Sequence, residues 1–530
     1  MGILIRKLAA SDALKWIDLL KANFGEDYSD KSIYDLKWAE QELGGAHGLE
    51  TWAADVDGKL QASLCFLPSQ PANQNPIANI GRNVFRPSSF TDGSAEALLM
   101  KAHEQAAGRG LVVVARVLAS DNAQQALMEK LGYVCAGFQP FKHVLKSREG
   151  CLFYLNFGRG DVVARQPVSE SLPQVSELAA AVLGHLQFTV PAAVRDGATG
   201  YPLKTDLQYQ NATPDDFDLW RMQAESANPP PEISGGFNAG QGFFRTNPKS
   251  SFQACLGQRD NQVVAGMLYS FDERDRCVRI VDAFALDDVS LGAMLQAVLK
   301  IAQDQLSAVY VEIDVLMCAP RLLKSAEQLG FVPVAYLPAF YSKGSTHIDV
   351  VKMVKLNMLY SLENHQATAH AKTILKIVDQ NFNDQKIGLA IINLLRGLPI
   401  FEGLGDGELR KIARLFTQKL YRPGERIFSR GDVGNEAYVV MRGQIDIVLE
   451  EGGTPLAQVG NGQIFGEQAF LDGAARGAHA VAGQASILLV VQRSAFNNVV
   501  HHEPHLGMVV MRNIAMELSS RLRRANQVKK

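Results

Sequence analysis

The chain has 530 residues, with 53 Lys and Arg against 55 Asp and Glu and a formal charge of -2. At about 100 to 200 residues per domain that length predicts three domains, four at the outside, and the near-neutral balance excludes a global basic field for nucleic acid or an anionic membrane. With 47% hydrophobic and 20% charged residues, 45 Gly and 21 Pro, the composition also excludes a disordered or collagenous chain.

The opening MGILIRKLAASDALKW places Asp12 where the apolar core of a secretory signal would continue, and Arg6 where a myristoylation motif wants Ser or Thr. No stretch reaches about 18 apolar residues, so a cytoplasmic protein with no membrane partner is expected. IRKLAASDALKWIDLL reads as a strand and a helix, and TWAADVDGKLQASLCFL as a hairpin turning at Asp57-Gly58. Residues 95–107 set Leu98, Leu99 and Ala102 on one helical face; the run Val112, Val113, Val114 then predicts a strand, and 122–131 a helix stopped by Gly132.

The same order returns downstream. Leu291, Met294, Leu295, Val298, Leu299 and Ala302 follow helical spacing, Val309, Val311, Ile313 and Val315 alternate as in a half-buried strand, and a helix ends at Gly330. EKLGYV at Glu129 and EQLGFV at Glu327 lie 198 residues apart, too long a period for a solenoid. Two related α/β domains are therefore expected over 1–165 and 205–356, with a Pro/Gly-rich connector over 166–204 and a helical linker over 357–396. In 397–530 the texture changes: short apolar runs such as AYVVM and QIDIVLE alternate with turns at Arg-Pro-Gly, Arg-Gly-Asp and Asn-Gly, the pattern of a small antiparallel β-roll with flanking helices. The cysteines Cys65, Cys135, Cys151, Cys255, Cys277 and Cys318 form no CxxC pair and read as core residues. His501, His502 and His505 are read as structural, and no metal is expected.

In that roll, residues 465–481 read FGEQAFLDGAARGAHAV. A cyclic phosphodiester wants a guanidinium and backbone N–H donors, and a ribose hydroxyl wants a carboxylate. The segment resembles the phosphate-binding cassette of cyclic nucleotide-binding domains, within a resemblance covering about residues 398–526. It implies that Arg476 holds the phosphate and Glu467 the 2′-hydroxyl, with Gly466 and Ala469 lining the cradle by their backbone. Ala475 replaces the family's usual Pro, and Gly477 stands where it often has Ser, Thr or Ala. The missing hydroxyl leans toward cAMP over cGMP as the regulatory ligand. The helix over 504–525 is similar to the family's lid helix, and with no DNA-reading helix after it DNA is not an expected partner.

NVFRPSSFTDGSAEALLMKA and ASDNAQQALMEKLGYVCAGF together resemble the GNAT acetyltransferase fold, and the second copy resembles it more weakly. The resemblance implies that Gly93, Ser94 and Ala95 open the loop that binds the pyrophosphate of acetyl-CoA or another acyl-CoA, with Phe90 in place of the family's Arg or Gln. Met128 and Ala326 stand where the family keeps a proton-donating Tyr, so no catalytic residue is assigned; Asp55, Asp57 and His103 are candidates by position only. Arg82 and Arg86 are candidate phosphate contacts, while Asp287 and Asp288 would repel a pyrophosphate from the second copy, which keeps only Gly292. The stretch NPPPEISGGFNAGQGFFRTNP suits either a lid or an ordinary surface loop. The expected fold class is thus two tandem GNAT-like α/β domains followed by a β-roll. The expected function is a cyclic-nucleotide-regulated N-acyltransferase acting on an amine acceptor such as a protein lysine, with a homo-oligomer left open. The alternative is a non-enzymatic cyclic-nucleotide sensor or scaffold whose GNAT-like domains bind a partner.

Overall fold

The computed structural model describes all residues except 1, 26–29, 46–48, 69–76, 108–111, 158–164, 167, 169–170, 190–197, 227–231, 236–250, 344–345, 359, 361–365 and 529–530. The chain divides into two compact units, Met1–Phe382 and Asn383–Lys530.

In the first unit the chain runs β1 (Ile3–Lys7), α1 (Ala13–Phe24), α2 (Leu36–Leu43), β2 (Glu50–Val56), β3 (Lys59–Pro68), β4 (Ile77–Phe85), α3 (Ser94–Ala107), β5 (Val112–Leu118), α4 (Asn122–Lys130), β6 (Val134–Val144) and β7 (Arg148–Asn156). After α5 (Pro173–His185) come β8 (Gln208–Ala212), α6 (Pro214–Ser226), β9 (Phe252–Arg259), β10 (Gln262–Asp272), β11 (Cys277–Ala285), α7 (Ser290–Asp304), β12 (Tyr310–Leu316), α8 (Pro320–Gln328), β13 (Val332–Lys343), β14 (Thr346–Leu356) and α9 (Ala369–Arg396). The apolar stripe read on α7 is buried, whereas β12, read from its alternation as half-buried, is buried at every residue, because its alternate positions Glu312 and Asp314 are covered by their ion-pair partners and not by water. Five cysteines are buried, as expected, whereas Cys318 is exposed because it lies in the turn between β12 and α8.

Among the described residues, the strands of both copies join one 14-stranded sheet in the order β1-β2-β3-β4-β5-β7-β6-β13-β14-β12-β11-β10-β9-β8. β4 with β5 and β11 with β12 are parallel, with α3 and α7 as their crossovers; the other pairs are antiparallel. The copies meet where β6 pairs with β13 at Gly137 and Ala335, two positions that are themselves 198 residues apart. Equivalent residues pairing with each other places a local two-fold axis at that point. A side chain on Gly137 would collide with Ala335 Cβ and lie 2.6 Å from the Val334 carbonyl, so only glycine lets the strands approach. Equivalent bulges follow on β6 and β13, with Phe141 and Ala339 both at φ of 51°.

Past its bulge, β6 lays polar residues against the second copy. Lys142 Nζ lies 2.6 Å from Glu312 Oε2, Arg279 Nε 3.0 Å from Glu312 Oε1, and Lys352 Nζ 2.5 Å from Asp314 Oδ1. Burial alone would raise the Glu312 carboxyl, but Lys142, Lys352 and Arg279 hold it below the usual carboxylate range. His143, also buried, contacts Asp275 Oδ2 at 2.6 Å through Nδ1 and Arg116 Nη1 at 3.1 Å through Nε2. A guanidinium can only donate, so Nε2 accepts, the ring is neutral and Nδ1–H points to Asp275. Burial pushes this His down to about 4 against the opposing pull of Asp275.

The second unit opens on the last part of α9, whose Ile391, Ile392 and Leu395 are buried there, and on α10 (Asp406–Ala413). Then come β15 (Phe416–Tyr421), β16 (Arg426–Phe428), β17 (Glu436–Arg442), β18 (Ile445–Val448), β19 (Ala457–Val459), β20 (Ile464–Phe465), α11 (Glu467–Asp472), β21 (His479–Ala482), β22 (Ser486–Gln492), α12 (Arg493–His502) and α13 (Pro504–Val528). The strands form two antiparallel four-stranded sheets, β15-β22-β17-β20 and β16-β21-β18-β19. Tyr438, Val440, Ile445, Phe465, Ala480, Leu488 and Val490 make the apolar core of the roll, and Leu398, Phe401, Phe470, Phe496 and Leu506 belong to the core at its helices.

Candidate functional sites

In the β-roll the site is built around a buried cation. Arg476, 5% exposed, follows α11; its Nη1 donates to the Gly466 carbonyl at 2.8 Å and its Nη2 to the Glu436 carbonyl at 2.6 Å. Its backbone is pinned as well, N–H donating to Asp432 O and O accepting from Gly431 N–H, each at 2.8 Å. The guanidinium carbon lies 4.2 Å from the Phe428 ring centroid and 5.7 Å from that of Tyr438. Arg476 Nε is buried without a hydrogen-bond partner, and among the described residues no carboxylate stands within ion-pair distance of this side chain. Burial lowers the guanidinium from its ordinary pKa, and Tyr438, Glu436, Asp432 and Glu467 oppose that shift.

The other residues read from the sequence gather at the same place. Gly466 has φ of +74°, and a Cβ there would lie 2.7 Å from Arg476 Nη1, so the turn requires glycine for both shape and space. Glu467 starts α11 and is buried, Ala469 is buried within the same short helix, and Gly477 is exposed with open space around its Cα. Sequence reading missed Phe428, Tyr438 and Glu436. The Glu436 carboxylate accepts from Tyr438 Oη and from Gln492 Nε2, and Lys419 Nζ stands 3.4 Å from it. Phe428 comes from β16, Tyr438 and Glu436 from β17, Lys419 from β15 and Gln492 from β22, and pairing across strands is not visible along the chain.

The first unit treats its helix N-termini differently. Gly93 lies at φ of +82° ahead of α3, but Asp92 Oδ1 already accepts from Ser94 N–H at 2.8 Å and Ser94 Oγ at 2.5 Å, and Ala95 is buried. Asp287 does the same at α7, accepting from Val289 N–H, Ser290 N–H and Ser290 Oγ at 3.0, 2.8 and 2.7 Å. Met128 and Ala326 are fully buried. The candidate phosphate contacts are committed elsewhere, Arg82 to Glu42 at 2.6 Å and Arg86 to Asp18 at 2.7 Å. Asp55 pairs with Arg6, Asp57 sits in its hairpin turn, and the His103 ring packs edge-on to Tyr133.

Beyond Ile80↔Ala115 and Ile280↔Ile313, the parallel strands share no further register, and in the second copy this leaves a cleft beside β12 where β11 parts from it. The second copy's cleft holds its own chain: Ile233 bridges Val315, Ser234 N–H donates to Asp314 O and Leu316 N–H to Glu232 O, each at 2.9 Å. Glu232 in turn accepts from Tyr201 Oη at 2.5 Å, and Tyr201 lies beneath the Arg321 guanidinium at 4.1 Å. A Cβ on Gly292 would meet Pro202 O at 2.7 Å, so the connector covers the first turn of α7. The rest of the NPPPEISGGFNAGQGFFRTNP stretch lies outside the described residues. His505 contacts Glu408 at 3.0 Å, and among the described residues no group of three or more His, Cys, Asp or Glu is placed to hold a metal. No helix among them is long and apolar enough to cross a membrane.

The family described as cyclic nucleotide-binding domain matches residues 418–503. Residues 418–503 are a cyclic nucleotide-binding domain. The cyclic AMP receptor protein of Thermus thermophilus is 33% identical over 135 residues, which is 25% of this chain and 61% of that protein. Glutaminase 1 of Bradyrhizobium diazoefficiens is 30% identical over 128 residues, 24% of this chain and 21% of its own length. The chain thus spans less than two thirds of either relative. The crystal structure of the Thermus thermophilus catabolite activator protein aligns with 34% identity and a TM-score of 0.22, covering 24% of this chain and 60% of that one. The cyclic nucleotide-binding domain lies in the second unit; the first unit is mixed α/β.

Proposed function

We propose that this protein is a cyclic-nucleotide-responsive regulator that takes cAMP in preference to cGMP, with the phosphate at Arg476, the ribose 2′-hydroxyl at Glu467, and Gly466, Ala469 and Gly477 around them. The observation that carries the reading is the buried Arg476 guanidinium, fixed by two carbonyls and without an ion-pair partner among the described residues. A buried, unpaired cation is costly, and a cyclic phosphate supplies the missing charge. The similarity to a cyclic AMP receptor protein supports the choice of ligand. Titration of cAMP into the full chain by calorimetry tests this: about one site per chain, lost in Arg476→Ala, is expected, and no heat from folded protein overturns it.

For the mixed α/β unit we propose a tandem GNAT-like acyltransferase regulated by that site, acyl-CoA entering the first copy beside Gly93, Ser94 and Ala95 and an amine, such as a protein lysine, being the acceptor. An α-helix between the fourth and fifth strands of each copy supports the fold. The match to a protein named glutaminase supports a nucleotide domain joined to an enzyme. The second reading, a non-enzymatic sensor or scaffold, is favoured by the carboxylates of Asp92 and Asp287 at both helix N-termini and by the chain-filled cleft of the second copy. Acetyl-CoA titration with cAMP saturating separates them. One site lost in Gly93→Glu supports the enzyme, and absent binding in folded, cAMP-bound protein leaves the scaffold.

A further inference from the structure

We infer that Phe428 is a positioning residue of the nucleotide site: its ring face holds the Arg476 guanidinium in the plane from which it meets a cyclic phosphate. The inference rests on the cyclic-nucleotide reading of Arg476. A guanidinium has two faces and an edge. Here the edge is partly spent, Nη1 on Gly466 O and Nη2 on Glu436 O, while Nε keeps an unused, buried hydrogen. Without ligand the cation has no countercharge to orient it, and two carbonyls at one edge still allow the plane to rock.

An aromatic ring against the face removes that freedom, and its quadrupole offsets part of the desolvation of the cation. Phe428 lies at 4.2 Å from the guanidinium carbon and Tyr438 at 5.7 Å. The ring is itself braced, tilted against Tyr438 and Phe465 with centroids 5.7 and 6.0 Å away, while Tyr438 stacks on Phe465 at 5.0 Å and 15°. Tyr438 Oη donates to the Glu436 side chain, whose main-chain carbonyl takes Arg476 Nη2, so face and edge of the guanidinium are fixed by one connected set of groups on β16, β17 and β20.

The test is a double-mutant cycle on cAMP affinity in the full chain, read by displacement of a fluorescent cAMP analogue, with Phe428→Leu made in the wild-type and Arg476→Lys backgrounds. Phe428→Leu is expected to weaken cAMP about tenfold in the wild type. In the Arg476→Lys background, where the charge is rounder and has no fork to orient, the loss is expected to be less than about twofold, and Phe428→Tyr should return affinity to within about twofold. Equal losses in the two backgrounds, or no loss in the first, overturn the inference. If Phe428→Leu does not fold, Phe428→Met removes the ring and keeps the bulk, and failure of both variants to fold makes Phe428 a core residue and likewise overturns it. A folded wild type that binds no cAMP overturns the nucleotide reading instead, which keeps the two failures apart.

Discussion

Gly137 is the residue at which β6 pairs with β13, and the space for it ends at the Ala335 backbone. Gly137→Val is expected to destabilise the first unit by about 1–3 kcal/mol or more, measured by urea unfolding, since a packed strand junction has no void to take up a side chain. His143 carries a second prediction at this scale. Its folded pKa of about 4 lies below the unfolded value near 6.5, so its contribution is complete above about pH 6.5 and is lost as pH falls toward 4. Between pH 7 and 5 the wild type should lose more stability than His143→Gln, by roughly 2 kcal/mol, in denaturant titrations at both pH values. Neither residue was legible in the sequence. Arg476 and Glu467 were, because their chemistry and their spacing sit on one short stretch, whereas Gly137 and His143 draw their meaning from partners more than 130 positions away.

Helices and strands were largely readable, as α7 and β12 illustrate, because their periodicity is local. Their ends were not. Along the chain the loop before α3 reads as bare amides awaiting a pyrophosphate, yet Asp92 takes the Ser94 amide and hydroxyl, a cap whose signal, Asp-Gly-Ser, is present but masked by the interest of its glycine. Asp92→Ala is expected to cost about 1 kcal/mol in stability, measured by thermal or urea unfolding. On the acyltransferase reading it should also tighten acetyl-CoA roughly two- to fivefold in calorimetry, by uncovering the helix end and removing a like charge. The partial filling of the second copy's cleft by residues 232–235 was equally hidden, since only the bridge to Val315 reveals what that segment covers.

Across the whole first unit, the 198-residue repeat was plain in the sequence, but the joining of its copies into one sheet was not, because a repeat says nothing of which edges meet. The buried charges beside that junction make it a place where loss is expensive. Glu312→Gln leaves Lys142 and Arg279 without their shared carboxylate and is expected to cost about 3–5 kcal/mol, read in urea as a lowered midpoint of the transition that belongs to this unit. The two halves are also unlike where they correspond: Arg116 answers to Asp314, Lys142 to Phe340 and His143 to Tyr341 across the same offset. In a dimer of identical chains every substitution is made twice, so a lysine facing a glutamate on one side of the axis is forced to appear on the other. A fused pair escapes that rule. One half is free to lay residues 232–235 beside its parallel strands without the other having to do the same, and a division of labour that symmetry forbids becomes available to a single polypeptide.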